Sequence, residues 1–399
     1  MNVFKEDEGK HLGLFYIRTA LDATFAVLGI YFIVYLLDRG FSYSVIGIAL
    51  ALFNIFMIIL DVPTGAVADV VGRKLPVMAG FFGYAIVLFI IPFVESPFIL
   101  IGIFALWALP TAFISGALPA WIVDNLEAEK RTDLIKEFYV KNTSIKSFGS
   151  IAAALLSGLI VQYIGMDALW YIYGSVVLAC GFILAMPKEH FEKKQVDILK
   201  SFRQAFYTVR EGASFAAKNK NVLYIICAAF FTAIAGEFVM VCYKPFMEVV
   251  GVPREYFGYL SAVGAVFCVG MPFLAKYLAG AFTSEKRYLS IHSLVFGAVL
   301  LSVILVSTPV IASLIFVILL LQQNASDPVL EPFFQKFLST RLRATMNSFR
   351  HMVASVAFLT GDFIISAFTD MTGPQVIVVA AGVIMLPSII FYLGIEDSG

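Results

Sequence analysis

Long apolar stretches constrain this chain more than any other feature of its sequence. A helix needs roughly 20 mostly apolar residues to cross a bilayer, and twelve stretches of the sequence meet that requirement. They lie near residues 13–37, 43–67, 75–94, 97–123, 144–164, 167–186, 221–247, 256–281, 288–306, 309–337, 345–369 and 374–395. A chain that is 60% hydrophobic and only 14% charged cannot hide so much apolar surface in a water-soluble core. The sequence therefore predicts an all-α integral membrane protein with twelve transmembrane helices.

The basic residues lie mostly on one side of these predicted helices. If both termini are cytoplasmic, 25 of the 28 Lys and Arg residues fall in cytoplasmic segments or toward the cytoplasmic ends of the predicted helices, as the positive-inside rule requires. Eight of them lie in residues 187–220, between the sixth and seventh stretches. We therefore expect a six-helix bundle over residues 1–186, a cytoplasmic linker over 187–220 and a second six-helix bundle over 221–399. The protein would lie in the cell membrane with both termini in the cytoplasm.

The two halves of the chain show a weak internal repeat. Residues 35–47 (YLLDRGFSYSVIG) align with residues 246–258 (FMEVVGVPREYFG), so that Gly40 meets Gly251. Both segments are the predicted outer turn between the first two helices of a half. Parallel six-helix repeats with a substrate site at mid-membrane are an established transporter design. The repeat therefore predicts two pseudo-symmetric bundles.

A sharper motif follows the second predicted helix. Residues 61–74 read DVPTGAVADVVGRK, which resembles the signature loop of the major facilitator superfamily, commonly written G-x-L-a-D-r-x-G-r-k. Val70 stands where a basic residue is common, and the matching residues are Gly65, Ala68, Asp69, Gly72, Arg73 and Lys74. The resemblance implies a transporter that works as a monomer by alternating access. It also implies a conformational latch that stabilises the outward-open state, formed by Gly65, Asp69, Gly72 and Arg73.

Two further segments resemble bacterial members of the family that are related to drug exporters. They are SGALPAWIVDNL at residues 115–126 and RATMNSF at residues 343–349. The sequence departs from proton-coupled exporters in two places, because the fourth predicted helix has no intramembrane Arg and the fifth lacks a Gly-Pro pair. The two segments favour an antiporter that exchanges its solute for protons.

Five acidic residues within the predicted helices are candidates for binding protons or substrate, because an ionisable group in hydrocarbon is costly and marks a functional site by default. They are Asp22, Glu237, Asp327, Glu331 and Asp362. Asp22 has two interpretations, since it can form an i,i+4 ion pair with Arg18 or bind protons in a central cavity. Glu237 lies near the equivalent place in the seventh predicted helix, with Lys244 as a candidate partner.

Other charged residues have gating as their first interpretation. Asp327 and Glu331 lie one turn apart on the tenth predicted helix, and they form either a gate or cation site, or ion pairs with Lys336 or Arg350. Asp61 and Asp124 lie toward the inner ends of the second and fourth predicted helices. We expect gating ion pairs there, and the candidate partners are Arg131, Arg343 and Arg350.

The acids within the predicted helices, together with the aromatic residues, indicate the substrate class. Aromatic residues make up 15% of the chain. This combination suits a cationic or hydrophobic small molecule, through charge pairing and cation–π contact. The leading hypothesis is therefore proton-coupled multidrug-type efflux, and the alternatives within transport are a divalent-metal exporter and a proton-coupled nutrient symporter. An intramembrane enzyme would need a nucleophile with its base or a zinc signature such as HExxH, and the sequence contains neither. We expect no cofactor, no bound metal and no nucleic-acid partner.

Overall fold

The computed structural model describes residues 4–190, 198–282 and 284–396, and its regular elements in these ranges are helices. The helices of the first half are α1 (Glu8–Thr24), α2 (Phe32–Asp38), α3 (Tyr43–Val71), α4 (Lys74–Ile90), α5 (Pro97–Ala128), α6 (Asp133–Tyr163) and α7 (Asp167–Ala185). The remaining helices are α8 (Ile198–Lys218), α9 (Lys220–Val249), α10 (Glu255–Cys268), α11 (Met271–Ala281), α12 (Glu285–Ser302), α13 (Pro309–Gln323), α14 (Asp327–Lys336), α15 (Arg343–Thr372) and α16 (Pro374–Leu393).

Most of the predicted membrane spans are present as helices. Within the described residues, ten helical stretches are long and apolar enough to cross a membrane, and the pair α10 and α11, bent by 51°, makes an eleventh. The first predicted span, residues 13–37, differs because it forms α1 and α2 with non-helical residues 25–31 between them. The all-α membrane fold expected from the sequence is confirmed, whereas its first helix is broken.

The chain divides into two compact units. The N-unit comprises Met1–Phe32 and Leu52–Arg203, and the C-unit comprises Ile33–Ala51 and Gln204–Gly399. Residues 33–51 therefore belong to the C-unit although they come early in the sequence. The predicted linker over 187–220 contains residues 191–197, which lie outside the described residues, and its later part forms α8.

Aromatic side chains fill the centre of the N-unit. Its helix α1 packs against α6 and α7, and α4 packs against α5 and α7. The Trp107 ring lies 5.9 Å from the Phe32 ring and 5.4 Å from the Tyr84 ring, measured between centroids. Such aromatic pairs contribute about 0.5–1.5 kcal/mol each beyond the area that they bury. This packing anchors Phe32, which directly follows the non-helical residues 25–31, in the N-unit.

Hydrogen bonds fix the start of α3 to the end of α15 in the C-unit. The Asp370 carboxylate accepts from the backbone N–H groups of Tyr43 and Ser44, at 2.8 Å each. These N–H groups have no partner within their own helix, so the carboxylate caps its N-terminus. The Ser44 hydroxyl donates to the Ser366 carbonyl at 2.8 Å, and the Ser366 hydroxyl donates to the Ser44 carbonyl at 2.9 Å. Elsewhere in this unit, α9 packs against α15 and α16.

The turns that the internal repeat aligns have the same backbone conformation. Gly40 has a φ of 86° and Gly251 has a φ of 89°. Residues with a side chain rarely adopt this left-handed conformation. The two outer turns are therefore built alike, which agrees with the alignment of residues 35–47 on residues 246–258.

Candidate functional site

The signature loop of the N-unit forms a compact network of charges. Gly72 has a φ of 96°, which lets the chain reverse between α3 and α4. The Arg73 guanidinium lies 3.1 Å from Asp124 and 3.5 Å from Asp69. The Glu189 carboxylate accepts from the backbone N–H groups of Arg73 and Lys74. Asp69, Gly72 and Arg73 are thus brought together, and Gly65 lies two turns earlier in α3.

The partner of Asp124 differs from the candidates that the sequence suggested. Asp124 pairs with Arg73, because the turn at Gly72 places that guanidinium beside the inner part of α5. Arg131 instead binds Asp133 at 3.1 Å, only two residues along the chain. Asp61 and Arg343 are exposed, and neither forms an ion pair in the ranges that the structure describes.

Asp22 forms the ion pair that its spacing allows. The Arg18 Nη1 atom lies 3.2 Å from Asp22 Oδ2 along α1, and the Tyr173 hydroxyl donates to Asp22 Oδ1 at 3.2 Å. Arg18 is buried and also donates to the Thr19 hydroxyl at 3.0 Å. The guanidinium lies 5.8 Å above the Phe81 ring. The first of the two interpretations of Asp22 therefore describes its geometry.

Two acids meet in the interior of the C-unit. Glu237 of α9 is 5% exposed, Asp362 of α15 is fully buried, and their carboxyl groups are hydrogen-bond partners. Gly361 makes this approach possible, because a Cβ atom there would lie 3.0 Å from Glu237 Cγ. A hydrogen bond between two carboxyl groups needs a proton on one of them, since carboxylates only accept. The arrangement can therefore hold and release a proton.

Lys244 does not pair with Glu237. The two residues are seven apart on α9, about 10 Å along the helix axis. The Lys244 ammonium lies 6.0 Å from the centroid of the Phe316 ring. Lys244 forms no ion pair within residues 4–190, 198–282 and 284–396, and its long aliphatic stem packs with the interior of the unit.

A cavity of about 360 Å³ lies in the C-unit beside the start of α14. Asp327 and Arg350 both line it, and Arg350 binds Glu331 rather than Asp327. Glu331 thus forms one of the ion pairs that the sequence suggested, whereas Lys336 binds Glu285 at 2.5 Å. The other polar and aromatic lining residues include Gln322, Gln323, His292, His351, Phe230 and Phe296.

Several charged contacts were not foreseen from the sequence. Glu8 is fully buried and lies 2.6 Å from Lys141, while the Tyr16 hydroxyl donates to it at 2.8 Å. Glu129 lies between the rings of His11 and His190. Apart from Tyr16, which lies eight residues from Glu8, the partners in these contacts come from distant parts of the chain, and no local pattern predicts them. Gln322 and Gln323 did carry a signal, because polar residues interrupt an apolar run there.

The comparison with protein families identifies one match. The model of the Major Facilitator Superfamily matches residues 14–335. The uncharacterized MFS-type transporter YxaM of Bacillus subtilis (strain 168) is 24% identical over 402 aligned positions, covering 96% of this chain and 95% of that protein.

Solved structures of two transporters have a similar fold. A crystal structure of a mutant form of the nucleoside transporter NupG gives a TM-score of 0.75 at 14% identity, covering 96% of this chain and 100% of that one. The POT family transporter PepTSo gives a TM-score of 0.72 at 12% identity, covering 96% of this chain and 97% of that one. At these identities the likeness concerns the fold alone.

Proposed function

The chain belongs to the Major Facilitator Superfamily, and from this premise we propose that it is a proton-coupled secondary transporter of a small organic solute. Membership of the family makes the protein a multi-pass membrane transporter of small molecules and not an enzyme. The proposal adds the coupling ion and the site that binds it. It also places the protein in the cell membrane as a monomer, with both termini in the cytoplasm, as the distribution of basic residues favours.

The hydrogen bond between Glu237 and Asp362 carries the proposal of proton coupling. Two adjacent carboxylates inside a membrane protein repel each other, and desolvation opposes the charge on each. The pair therefore holds one proton in the arrangement described above. Opening the site to water on either side of the membrane, or bringing a cationic solute near, would favour loss of that proton. Alternating access then couples proton movement to solute movement.

The latch and the inner ion pairs have a separate role in this proposal. Asp69, Gly72, Arg73 and Asp124 would stabilise one conformation of the transport cycle, and Gly65 would allow close helix packing there. Arg350 with Glu331 would act as a gating pair in the C-unit. Asp22, which binds Arg18 and Tyr173, would have a structural role.

Export is the direction that we propose, supported by the resemblance of residues 115–126 and 343–349 to the drug exporters of the family. Uptake with protons is the second candidate. It is favoured by the fold neighbours, one named as a nucleoside transporter and the other as a POT family transporter. A divalent-metal exporter has less support, because no group of three or more His, Cys, Asp or Glu side chains suited to a metal occurs in the described part of the chain.

The proton site can be tested before any substrate is known. Infrared spectroscopy of the purified protein at neutral pH should contain the carbonyl band of a protonated carboxylic acid, and Glu237→Gln or Asp362→Asn should remove it. Glu396→Gln, which changes an exposed carboxylate in the same unit, is the matched control and should leave the band in place. A wild-type spectrum without a protonated carboxylic acid would contradict the proposed proton site.

Transport assays then test coupling and direction. Wild-type protein in liposomes should move one or more labelled solutes from a panel of organic amines, nucleosides and dipeptides at a rate that depends on an imposed pH gradient. Glu237→Gln should lose the dependence on the gradient while keeping solute exchange. Solute movement in the direction opposite to the protons indicates export, and solute movement in the same direction as the protons indicates uptake. A solute that wild type moves equally fast with and without the gradient would rule out proton coupling.

A further inference from the structure

The membrane span formed by α13 and α14 is interrupted at residues 324–326, directly beside the cavity of the C-unit. We propose that this break and the cavity form a binding site for an organic monocation that also carries an aromatic ring and an uncharged hydrogen-bonding group. The site deepens the proposed function, because its ligand is the transported solute only if the protein is the transporter proposed above. Broken membrane helices expose backbone and polar groups where a solute can reach them.

Two side chains of α12 bind the backbone at the break and hold it in shape. The Tyr288 hydroxyl donates to the Ala325 carbonyl at 2.9 Å, and His292 Nε2 donates to the Gln322 carbonyl at 2.8 Å. Their rings stack at a centroid distance of 6.2 Å. Gln322 lies in the last turn of α13 and Ala325 in the break that follows it, where backbone acceptors lose their helical partners. Because side chains of α12 bind these two carbonyls, the break is stabilised by tertiary contacts.

The charges at the cavity favour a cation. Arg350 lines the cavity and is paired with Glu331, which offsets its charge, while its Nη1 atom is buried and has no hydrogen-bond partner among the described residues. Asp327 is exposed at the first turn of α14 and forms no ion pair with any residue that the structure describes. The C-terminal end of α13 and the N-terminal end of α14 meet here, so their partial charges of opposite sign largely offset each other. One carboxylate therefore remains to bind a positively charged group.

The remaining lining residues define the rest of the ligand. The side-chain amides of Gln322 and Gln323 line the cavity and make no side-chain hydrogen bond to another described residue. An amide both donates and accepts, so it suits an uncharged polar group on the solute. Phe230, Phe296 and Phe358 also line the cavity and provide apolar faces for a ring and for the cation.

The size of the cavity limits the ligand to one small molecule. A volume of about 360 Å³ lies at the lower end of the range for small-molecule sites, roughly 300–1,000 Å³. A ring with one short aminoalkyl arm and one polar substituent fits such a space. Three small compounds test these features separately. Para-aminoethylbenzamide has cation, ring and amide, phenethylamine lacks the amide, and para-ethylbenzamide lacks the cation.

Binding of the three probes to the detergent-purified full-length protein tests the site by calorimetry. Para-aminoethylbenzamide should bind wild type about fivefold or more tightly than phenethylamine, as one net hydrogen bond predicts. It should bind at least about tenfold more tightly than para-ethylbenzamide, because the latter cannot pair with the carboxylate. If para-aminoethylbenzamide and phenethylamine bind equally well, the site does not recognise an uncharged polar group. If the neutral and charged probes bind equally well, the proposed cation site is wrong.

Variants then assign each preference to a residue. Asp327→Asn should abolish the preference for the charged probes, and Gln323→Met, which keeps the side-chain length, should abolish the preference for the amide. Glu285→Gln, an acid of the same unit that does not line the cavity, is the control and should change neither. Melting temperatures of the variants should stay near that of wild type, so that lost binding is not lost folding. Unchanged selectivity in Asp327→Asn would overturn the site.

The two proposals fail independently. If no probe binds while the infrared band of the acid pair is present, this inference is wrong and proton coupling stands. If the probes bind with the predicted selectivity while the band is absent, the site stands and the proposed coupling is wrong.

Discussion

Helices α1 and α9 each begin one half of the chain, and each carries an acid in its apolar part. In α1, Asp22 lies one turn from Arg18 and binds it at 3.2 Å. In α9, Glu237 has a second acid, Asp362, as its hydrogen-bond partner. The two acids lie near aligned positions of the repeat, but one faces a base and the other faces an acid.

This difference teaches how one architecture supports two electrostatic roles. The ion pair with Arg18 makes Asp22 part of the packing of α1. In the function proposed above, the acid pair of Glu237 and Asp362 holds the coupling proton. The partner of the carboxyl group decides which role it has, and depth in the membrane alone does not.

The largest effect expected from this comparison follows removal of Arg18. Arg18→Leu leaves the half-buried Asp22 without its base, and removing one partner of such a charged pair costs about 2 kcal/mol. Thermal unfolding in detergent, followed by tryptophan fluorescence, should record a clear fall in melting temperature. The double variant Arg18→Leu, Asp22→Leu should recover most of the loss, since two apolar residues can replace an ion pair. No fall in the single variant would contradict a stabilising ion pair between Arg18 and Asp22.

A smaller effect is expected at the acid pair. Glu237→Gln replaces a carboxyl group by an amide of the same shape that can still donate to Asp362, so the free energy of unfolding should change by about 1 kcal/mol or less. Glu237→Leu, which removes the hydrogen bond, should be less stable than Glu237→Gln in the same thermal assay. A loss in Glu237→Gln as large as that in Arg18→Leu would show that Glu237 is ionised and held by a positive charge.

The smallest effect is expected at an exposed pair. Lys220 donates to Glu396 at 2.8 Å, and this hydrogen bond holds the pKa of the Glu396 carboxyl below its ordinary value. A lowered pKa contributes stability above the pKa of the unfolded chain, and the contribution disappears as the pH falls through the lowered value. Glu396→Gln should therefore lower the melting temperature barely detectably at neutral pH, as for other surface pairs. The difference from wild type should vanish in acid, and a difference that grows in acid would contradict this assignment.

Hydropathy and local spacing predicted most of the fold and part of the candidate site. Apolar runs of membrane length located the helices, and the four-residue spacing of Arg18 and Asp22 predicted one of their two arrangements correctly. The break at residues 25–31 was not predicted, because the segment is apolar and contains no proline. The break between α13 and α14 was not predicted either, since residues 309–337 were expected to form one span, although polar residues lie at that point.

Contacts between distant helices account for the rest of the site. Glu237 and Asp362 each stood out as an intramembrane acid, but nothing in the sequence places α9 against α15 at Gly361. Lys244 shows the opposite error, since closeness in sequence suggested a pairing that the length of two helical turns prevents. Asp124 likewise binds Arg73, which the turn at Gly72 brings to it.

The position of residues 33–51 has a consequence for fragment complementation, the assembly of two separate pieces of a chain into one fold. These residues are encoded with the first half, yet they belong to the C-unit, where Tyr43 and Ser44 bind Asp370. If the chain is cut within the linker, the second fragment lacks residues 33–51, which its unit needs. The first fragment carries those residues. The second half of the polypeptide is therefore not an autonomous folding module, because it needs residues 33–51 of the first half to complete its unit.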